Sequence, residues 1–314
     1  MRSPLTEADQ ETRRGTVYGA GAYALWGLFP LYFHALAPAG AWEILAHRIV
    51  WTLLFCVLVL AVRRDAGWLR PVFGVPRTLG TITVAGLLIA ANWVIYVGAV
   101  VSHHVTEASL GYFLNPIVTV ALGVVVLRER LRPAQWAAVA IGLVAGVYLS
   151  IDSGRPPWIA LSLAGTFALY GLMKKRIGAS LGALQSLTSE TAVLTPIALG
   201  VLAWLGVSGR TTFAVDAPTH PALLAVSGVV TAIPLILFAG AARRVPLVTI
   251  GLLQFVTPVL QLLCGVLLLG EVMSTSRWVG FGIVWLALAV LTVDSLRSAR
   301  ARARIAQAAE ACAV

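Results

Sequence analysis

Residues 109–131 read SLGYFLNPIVTVALGVVVLRERL, and residues 251–273 read GLLQFVTPVLQLLCGVLLLGEVM. Sliding the chain by 142 positions sets Phe113 on Phe255, Pro116 on Pro258, Gly123 on Gly265 and Glu129 on Glu271. The register runs on without a gap through Trp136 on Trp278, Ile141 on Ile283 and Asp152 on Asp294. Each copy is an apolar run of helix length with a proline in its middle and a carboxylate at its end. One chain carrying both copies points to a duplicated multi-helix unit.

Composition identifies the solvent for which that unit is built. Hydrophobic residues make up 59% of the 314 and charged residues 11%, against about a quarter charged in soluble domains. So few charges cannot cover an aqueous surface, so the surrounding solvent is lipid. Ten runs approach the roughly 20 apolar residues that a helix needs to cross the hydrocarbon: 15–36, 41–62, 79–101, 105–127, 133–151, 157–173, 183–205, 221–242, 246–269 and 277–296. Strand-period alternation is absent, which excludes a membrane β-barrel. The expected fold class is an all-α polytopic membrane protein with ten transmembrane helices. Its expected organisation is a tail over 1–14, a five-helix repeat over 15–151, a second over 157–296, and a basic tail over 297–314. The N-terminal MRSPLTEADQETRR is too polar for a cleavable signal peptide, so the first span is expected to direct insertion. Cys56, Cys264 and Cys312 lack metal-ligand spacing, and no metal or cofactor is expected.

Charge placement sets the expected orientation. With the N-terminus inside, nineteen of the 23 Lys and Arg residues fall on cytoplasmic segments. Only Arg155, Arg210 and Arg277 fall outside, and Arg48 lies within a span. By the positive-inside rule both termini are then cytoplasmic, as expected of a multi-pass protein of the inner membrane. The net charge of +10 is accordingly assigned to an anionic inner leaflet rather than to nucleic acid.

Five spans per copy is an odd number, so the second copy enters the bilayer from the opposite side. Glu129 then lies at the cytoplasmic end of span four and Glu271 at the outer end of span nine. Two inverted halves that exchange shapes convert an outward-open protein into an inward-open one, the architecture of secondary transporters. Inert duplication and a channel remain alternatives, since some channels also contain inverted repeats.

Several ordered motifs resemble a known family. The ten spans and the Pro-to-Glu pattern at 116–129 and 258–271 are similar to the EamA family of the drug/metabolite transporter superfamily. Trp42-Glu43 with His47-Arg48, Asn92-Trp93, the ASLGY run at 108–112 with Asn115-Pro116, and the GLLQF run at 251–255 with Pro258 resemble its RarD-like subfamily. The likeness covers about 15–296. It implies efflux of small metabolites, amino acids or drugs across the inner membrane, and leaves the substrate unspecified.

Ionisable groups inside spans add about 2.5–3.5 kcal/mol to insertion and persist mainly where the interior is polar. Glu43, His47 and Arg48 in span two and Glu190 in span seven are therefore candidates for coupling or gating. Glu43 and His47 share a helix face, where a carboxylate–imidazole contact could hold a proton. The rival reading has these groups simply hydrating or pairing locally. Glu190 aligns with Arg48 at the same offset, but inversion separates them by about 14 Å in depth. Two separate polar sites are expected, one in each half.

Trp26, Asn92, Trp93, Tyr96, Tyr112, Asn115, Tyr170 and Gln254 are candidate substrate-binding residues, as aromatic and amide groups suited to a small organic solute. Trp26 and Tyr170 correspond within ALWGL and ALYGL. Trp42, Trp136 and Trp278 are read instead as interfacial anchors. Pro116 and Pro258 each remove a helical hydrogen bond and can kink or hinge their helices. Glu129 and Glu271 are expected to fix helix termini, and His103-His104 to lie in a solvated loop.

A membrane-embedded enzyme acting on a lipid-linked substrate is the rival class. The 13 acidic residues are scattered, with no HExxH and no phosphate-cradling glycine loop. The expected partners are a small-molecule solute and the lipid bilayer. Proton coupling, solute exchange and assembly as a homodimer all remain open.

Overall fold

The computed structural model of the chain describes residues 7–67, 69, 72, 74–101, 105–152, 158–213 and 219–268, with a discontinuous set between 275 and 297. Every secondary-structure element among them is helical. The order is α1 Glu7–Gly27, α2 Phe29–Ala35, α3 Ala41–Val62, α4 Pro76–Val101, α5 Val105–Leu127, α6 Pro133–Asp152, α7 Trp158–Ile177, α8 Ala183–Val207, α9 Thr219–Ala242, α10 Leu247–Leu253 and α11 Val256–Leu263. A π-turn follows at Cys264–Leu268. An apolar helix over Trp278–Asp294, α12, is described in part.

Five stretches are long and apolar enough to cross a membrane: Ala41–Val62, Pro76–Tyr96, Ala183–Val207, Thr219–Ala242 and Leu247–Leu268. The first expected span, 15–36, is not one helix. It breaks at Leu28 between α1 and α2, and α1 begins at Glu7, inside the expected tail. The ninth, 246–269, breaks at Gln254 and Phe255. The sixth runs on past residue 173 to Ile177. Glu271, His103, His104 and Cys312 lie outside the described residues.

The core is formed by pairing helices across the two halves of the sequence. α3 packs on α8 and α9, α4 on α7 and α8, α5 on α7 and α10, and α1 on α9 and α11. Among the described glycines, Gly228 stands nearest a neighbouring helix: an added Cβ would lie 2.3 Å from the Trp51 backbone carbonyl carbon. Only a glycine allows α9 so near α3. The carbonyl of Gly228 also accepts the Thr52 hydroxyl at 3.1 Å. Outward-facing positions are apolar, with Val62 and Val125 both 77% exposed, as suits side chains solvated by lipid.

Contacts between loops gather the connections onto two opposite faces. On one face Glu11 meets Arg244, Gln185 donates to Asp65, and Lys175 meets Glu129 at 3.5 Å. Glu129 also accepts the backbone N–H groups of Leu247 and Val248 at 2.9 and 2.8 Å. Its carboxylate thus fixes the first turn of α10, a helix end distant in sequence, where otherwise unpaired N–H groups favour an anion. On the opposite face Glu43 meets the 211–213 connection and Tyr32 donates to the Leu223 carbonyl at 2.6 Å.

Candidate functional site

Among the described residues, a cavity of about 490 Å³ lies between the two sets of helices. Tyr23 and Trp26 come from α1, Phe29 and Phe33 from α2, and Arg48 from α3. Asn92, Trp93 and Tyr96 come from α4, Asn115 from α5, Phe167 from α7, and Gln254, Thr257 and Pro258 from the α10–α11 region. The lining reaches the α2–α3 connection at Ala39 and Ala41. The volume falls within the roughly 300–1,000 Å³ of small-molecule sites, and the wall is largely apolar with a few polar groups, as such sites require.

Both helix breaks border this hollow. Leu28, between α1 and α2, sits at φ −89° and ψ −6°, placing Trp26 and Phe29 on the wall from different helix axes. Pro258 has no N–H, so the Gln254 carbonyl is taken instead by the Thr257 N–H at 3.1 Å. The Thr257 hydroxyl donates to the Tyr23 carbonyl at 2.9 Å and ties α11 to α1. Pro116, by contrast, lies inside the unbroken α5 and off the cavity. Its carbonyl lies 3.0 Å from where a Cβ on Gly251 would stand, so this stretch of α5 serves packing against α10.

Arg48 is half-buried at the wall. Its Nε donates to Thr231 Oγ1 at 2.9 Å. The guanidinium carbon lies 4.8, 5.4 and 5.6 Å from the ring centroids of Trp93, Phe33 and Phe29, within cation–π range. Asn92 spends its amide hydrogens on the Leu163 carbonyl and Thr166 Oγ1, both at 2.9 Å, and so clamps α4 to α7. Among the described residues, three lining side chains bury a polar atom that makes no well-formed hydrogen bond, Tyr23 OH, Asn115 Oδ1 and Gln254 Nε2, and the first and last of these face each other. Gln254 Oε1 accepts the Thr119 hydroxyl at 3.3 Å, which aims Nε2 elsewhere.

The structure corrects two assignments at the far end of the hollow. Tyr170, expected on the cavity wall, lies beyond it in an aromatic layer with Tyr23, Trp26, Phe167 and Phe238. Its ring stacks on Phe238 at 5.7 Å, and Trp26 meets Phe238 at 5.6 Å. Lys174, read from sequence as part of a basic cytoplasmic loop, is in α7 with its side chain fully buried. Its Nζ lies 2.7 Å from Glu190 Oε1 and 2.9 Å from Ser186 Oγ. Ser186 donates to the same carboxylate oxygen at 2.8 Å, and the Tyr170 hydroxyl donates to Oε2 at 3.2 Å. Glu190 is therefore fully engaged and does not line the cavity.

Glu43 and His47 are also engaged; they interact through charge, and their hydrogen bonds go to other partners. Glu43 Oε1 accepts from Thr211 Oγ1, the Thr212 N–H and the Phe213 N–H at 2.8, 2.7 and 3.2 Å. Oε2 accepts from the Thr212 hydroxyl at 2.8 Å. That hydroxyl has one proton to give, so at 2.9 Å from His220 Nε2 it acts as acceptor. His47 stacks on Phe213 at 4.8 Å, and its Nδ1 accepts from Trp51 Nε1 at 3.2 Å. This cluster ties α3 to the α8–α9 connection. The side chain of Tyr112 lies outside the described residues.

The cavity thus brings together Trp26, Arg48, Asn92, Trp93, Tyr96, Asn115, Gln254 and Pro258, and leaves out Glu43, His47, Pro116, Tyr170 and Glu190. Sequence reasoning missed Lys174, hidden in the run Lys174-Lys175-Arg176. The available signal was helical spacing: Tyr170 and Lys174 share a face of α7, as Ser186 and Glu190 share one of α8.

Comparison with known proteins agrees with this architecture. Residues 13–151 match the EamA-like transporter family. A protein RarD of Streptomyces exfoliatus is 52% identical over 304 residues, 96% of each chain. An uncharacterised transporter of Pseudomonas aeruginosa is 44% identical, covering 93% of this chain and 98% of that one. The protein RarD of Escherichia coli K12 is 36% identical over the same shares. A solved crystal structure superposes with a TM-score of 0.69 at 18% identity, over 89% of this chain and 97% of that one, and shares the fold. Nearly full-length identity of this order, with apolar helices enclosing a solute-sized hollow, makes the chain a member of the EamA transporter family, among its RarD-like proteins.

Proposed function

We propose that the chain is a secondary transporter that exports a small organic solute across the inner membrane by alternating access between two inverted five-helix halves. The observation that carries this reading is the 490 Å³ cavity, walled by both halves and bordered by two broken helices. Broken helices at a mid-bundle site are a recurring feature of such transporters.

The packing supports the inverted halves. The α4–α7 contact is answered by α9–α1, and α3–α8 and α5–α10 each join counterparts directly. Gly228 lies against α3 at Trp51, and Gly86, 142 residues earlier, lies against α8 at Glu190. The loops expected on the cytoplasmic side are those gathered on the Glu11–Arg244 face. In that orientation the hollow reaches toward the outside, while the aromatic layer and the Lys174–Glu190 pair close the inside. Alternating access then requires that layer to part while the α2–α3 end closes.

The test is flux in proteoliposomes across a panel of amino acids, nucleobases and amphenicols, paired with cysteine labelling at Ala39 and Phe167 from each side. Counterflow of at least one solute, with Phe167 labelled from both sides, supports the reading. Absence of any flux, with Phe167 reached from one side only, overturns it.

A further inference from the structure

We infer that α3 and α8, each gripping the connection that follows the other, form a frame that stays assembled while access alternates, and that the movement belongs to the helices broken beside the hollow; this rests on the transporter reading above. Glu43 and Gln185 fall on each other at the 142-residue offset. Each stands three residues after an extended N-cap glycine, Gly40 at φ −72° and ψ 157° and Gly182 at φ −67° and ψ 160°. Glu43 of α3 accepts from Thr211, Thr212 and Phe213, between α8 and α9. Gln185 of α8 donates to Asp65, between α3 and α4, at 2.7 Å, and accepts the Gly182 N–H at 2.8 Å. The two grips are thus reciprocal, and they lie on opposite faces.

Paired gates would engage by turns, the one at the open end being released. These two engage together. The hollow reaches the α2–α3 connection at Ala39 and Ala41, beside the helix end that carries Glu43, yet the grip of Glu43 is complete there. Glu43 is 1% exposed. Releasing it in every cycle would strip a buried carboxylate of four charge-assisted hydrogen bonds, which leaves the full desolvation penalty unmet.

Between the grips the same helices remain in contact. α3 packs on α8 and α9, and α4 on α8. The Thr52 hydroxyl donates to the Gly228 carbonyl, and the Cys56 thiol meets the Thr188 hydroxyl. Backbone against backbone at Gly228 and Trp51 leaves no clearance for one helix to slide past the other. The helices α1–α2 and α10–α11 differ in carrying breaks beside the hollow, at Leu28 and at Gln254 and Phe255. Such element-terminal positions absorb the backbone rotation that a hinge requires.

The test fastens the frame and watches access. In a full chain carrying Cys264→Ala and Cys312→Ala, Thr188→Cys is introduced to form a disulfide with the native Cys56 across α3 and α8, and peptide mass spectrometry verifies the bond. Phe167→Cys reports access, through labelling by an impermeant maleimide from each side of the proteoliposome before and after oxidation. Labelling from both sides at rates within twofold of the unoxidised chain is expected. A tenfold or greater loss from one side on oxidation, regained on reduction, overturns the inference and keeps the transporter reading. Failure of the disulfide to form in a chain that elutes as folded protein on size exclusion also overturns it, because the two helices then do not stay adjacent. Labelling from one side alone before oxidation removes the transporter reading and the inference with it. Glu43→Ala, which frees the 211–213 connection without any added thiol, is likewise expected to leave Phe167→Cys labelled from both sides. Labelling of that variant from one side only would make the grip a gate and overturn the inference.

Discussion

Arg48 and Glu190 fall on each other at the 142-residue offset that aligns the two stretches, and their surroundings are opposite. Arg48 is half-buried on a solute-sized hollow among three aromatic rings. Glu190 is 1% exposed, with both carboxylate oxygens occupied. In the proposed duplicated unit, one backbone position carries a charge at the cavity wall in one copy and a charge locked behind the cavity in the other. The second half can lock its charge because α7 supplies Lys174 and Tyr170 on one face.

The largest effect should come from unlocking that pair. Lys174→Met leaves the Glu190 carboxylate buried without its counter-charge and is expected to destabilise the protein by about 3–5 kcal/mol. Adding Glu190→Gln should recover most of the loss, since a neutral amide among Ser186 and Tyr170 needs no counter-ion. Arg48→Met removes cation–π contacts at a half-buried wall and should lose less than about 2 kcal/mol. Denaturant titration of the detergent-solubilised protein reads all three variants. A Lys174→Met loss no larger than that of Arg48→Met would abolish the contrast.

How far each side of this contrast could be read from sequence follows from the physics involved. The paired stretches 109–131 and 251–273 carry the proposal of a duplicated unit, because apolar length, proline and terminal carboxylate recur at one offset. Arg48 is legible because a charge inside an apolar span demands an explanation. Lys174 is not, because it adjoins Lys175 and Arg176, and charge counting merges three cations that helical geometry sends to different places. Lys175 reaches the Val245 carbonyl and Glu129 at the face, while Lys174, one residue earlier, turns inward. The breaks in spans one and nine are equally silent: Pro116 and Pro258 align, yet only the helix bearing Pro258 divides. Tertiary contacts around Gln254 and Phe255 settle that difference, and no local propensity encodes it.

A second contrast separates the two glycine crossings. A Cβ on Gly228 would lie 2.3 Å from backbone of α3, whereas one on Gly86 would meet the Glu190 carbonyl oxygen at 3.4 Å. Backbone cannot swing aside as a side chain can. Gly228→Ala is therefore expected to lose about 1–3 kcal/mol through overpacking. Gly86→Ala should stay within about 1 kcal/mol of native, its contact offset by the better helix propensity of alanine. The same titration distinguishes them, and equal losses would mean that the two crossings are as close as each other in solution.

The smallest effect belongs to the ion pair most unlike Lys174–Glu190. Glu11, 47% exposed at its side chain, meets Arg244 Nε at 2.7 Å, outside the membrane-spanning part of α1. The hydrogen bond from Arg244 holds the Glu11 carboxyl below its ordinary value, against a small opposing push from burial. A lowered carboxyl value means that the contact contributes above about pH 4.3, the ordinary glutamate value, and is lost as pH falls through and below it. Because both partners reach water, salt should weaken the contact as well, whereas Lys174–Glu190 should ignore salt. Hydrogen exchange over the first two turns of α1, corrected for intrinsic rates, is expected to quicken severalfold between pH 6 and pH 3.5. The same turns should quicken at pH 7 in 1 M salt or in Arg244→Gln, while the amides around Glu190 keep their protection in 1 M salt and in that variant. Exchange at α1 that is indifferent to pH, salt and Arg244→Gln alike would mean that the packing of Gly15 on Val245 and of Tyr18 on Gly240 holds this end of the helix without the ion pair.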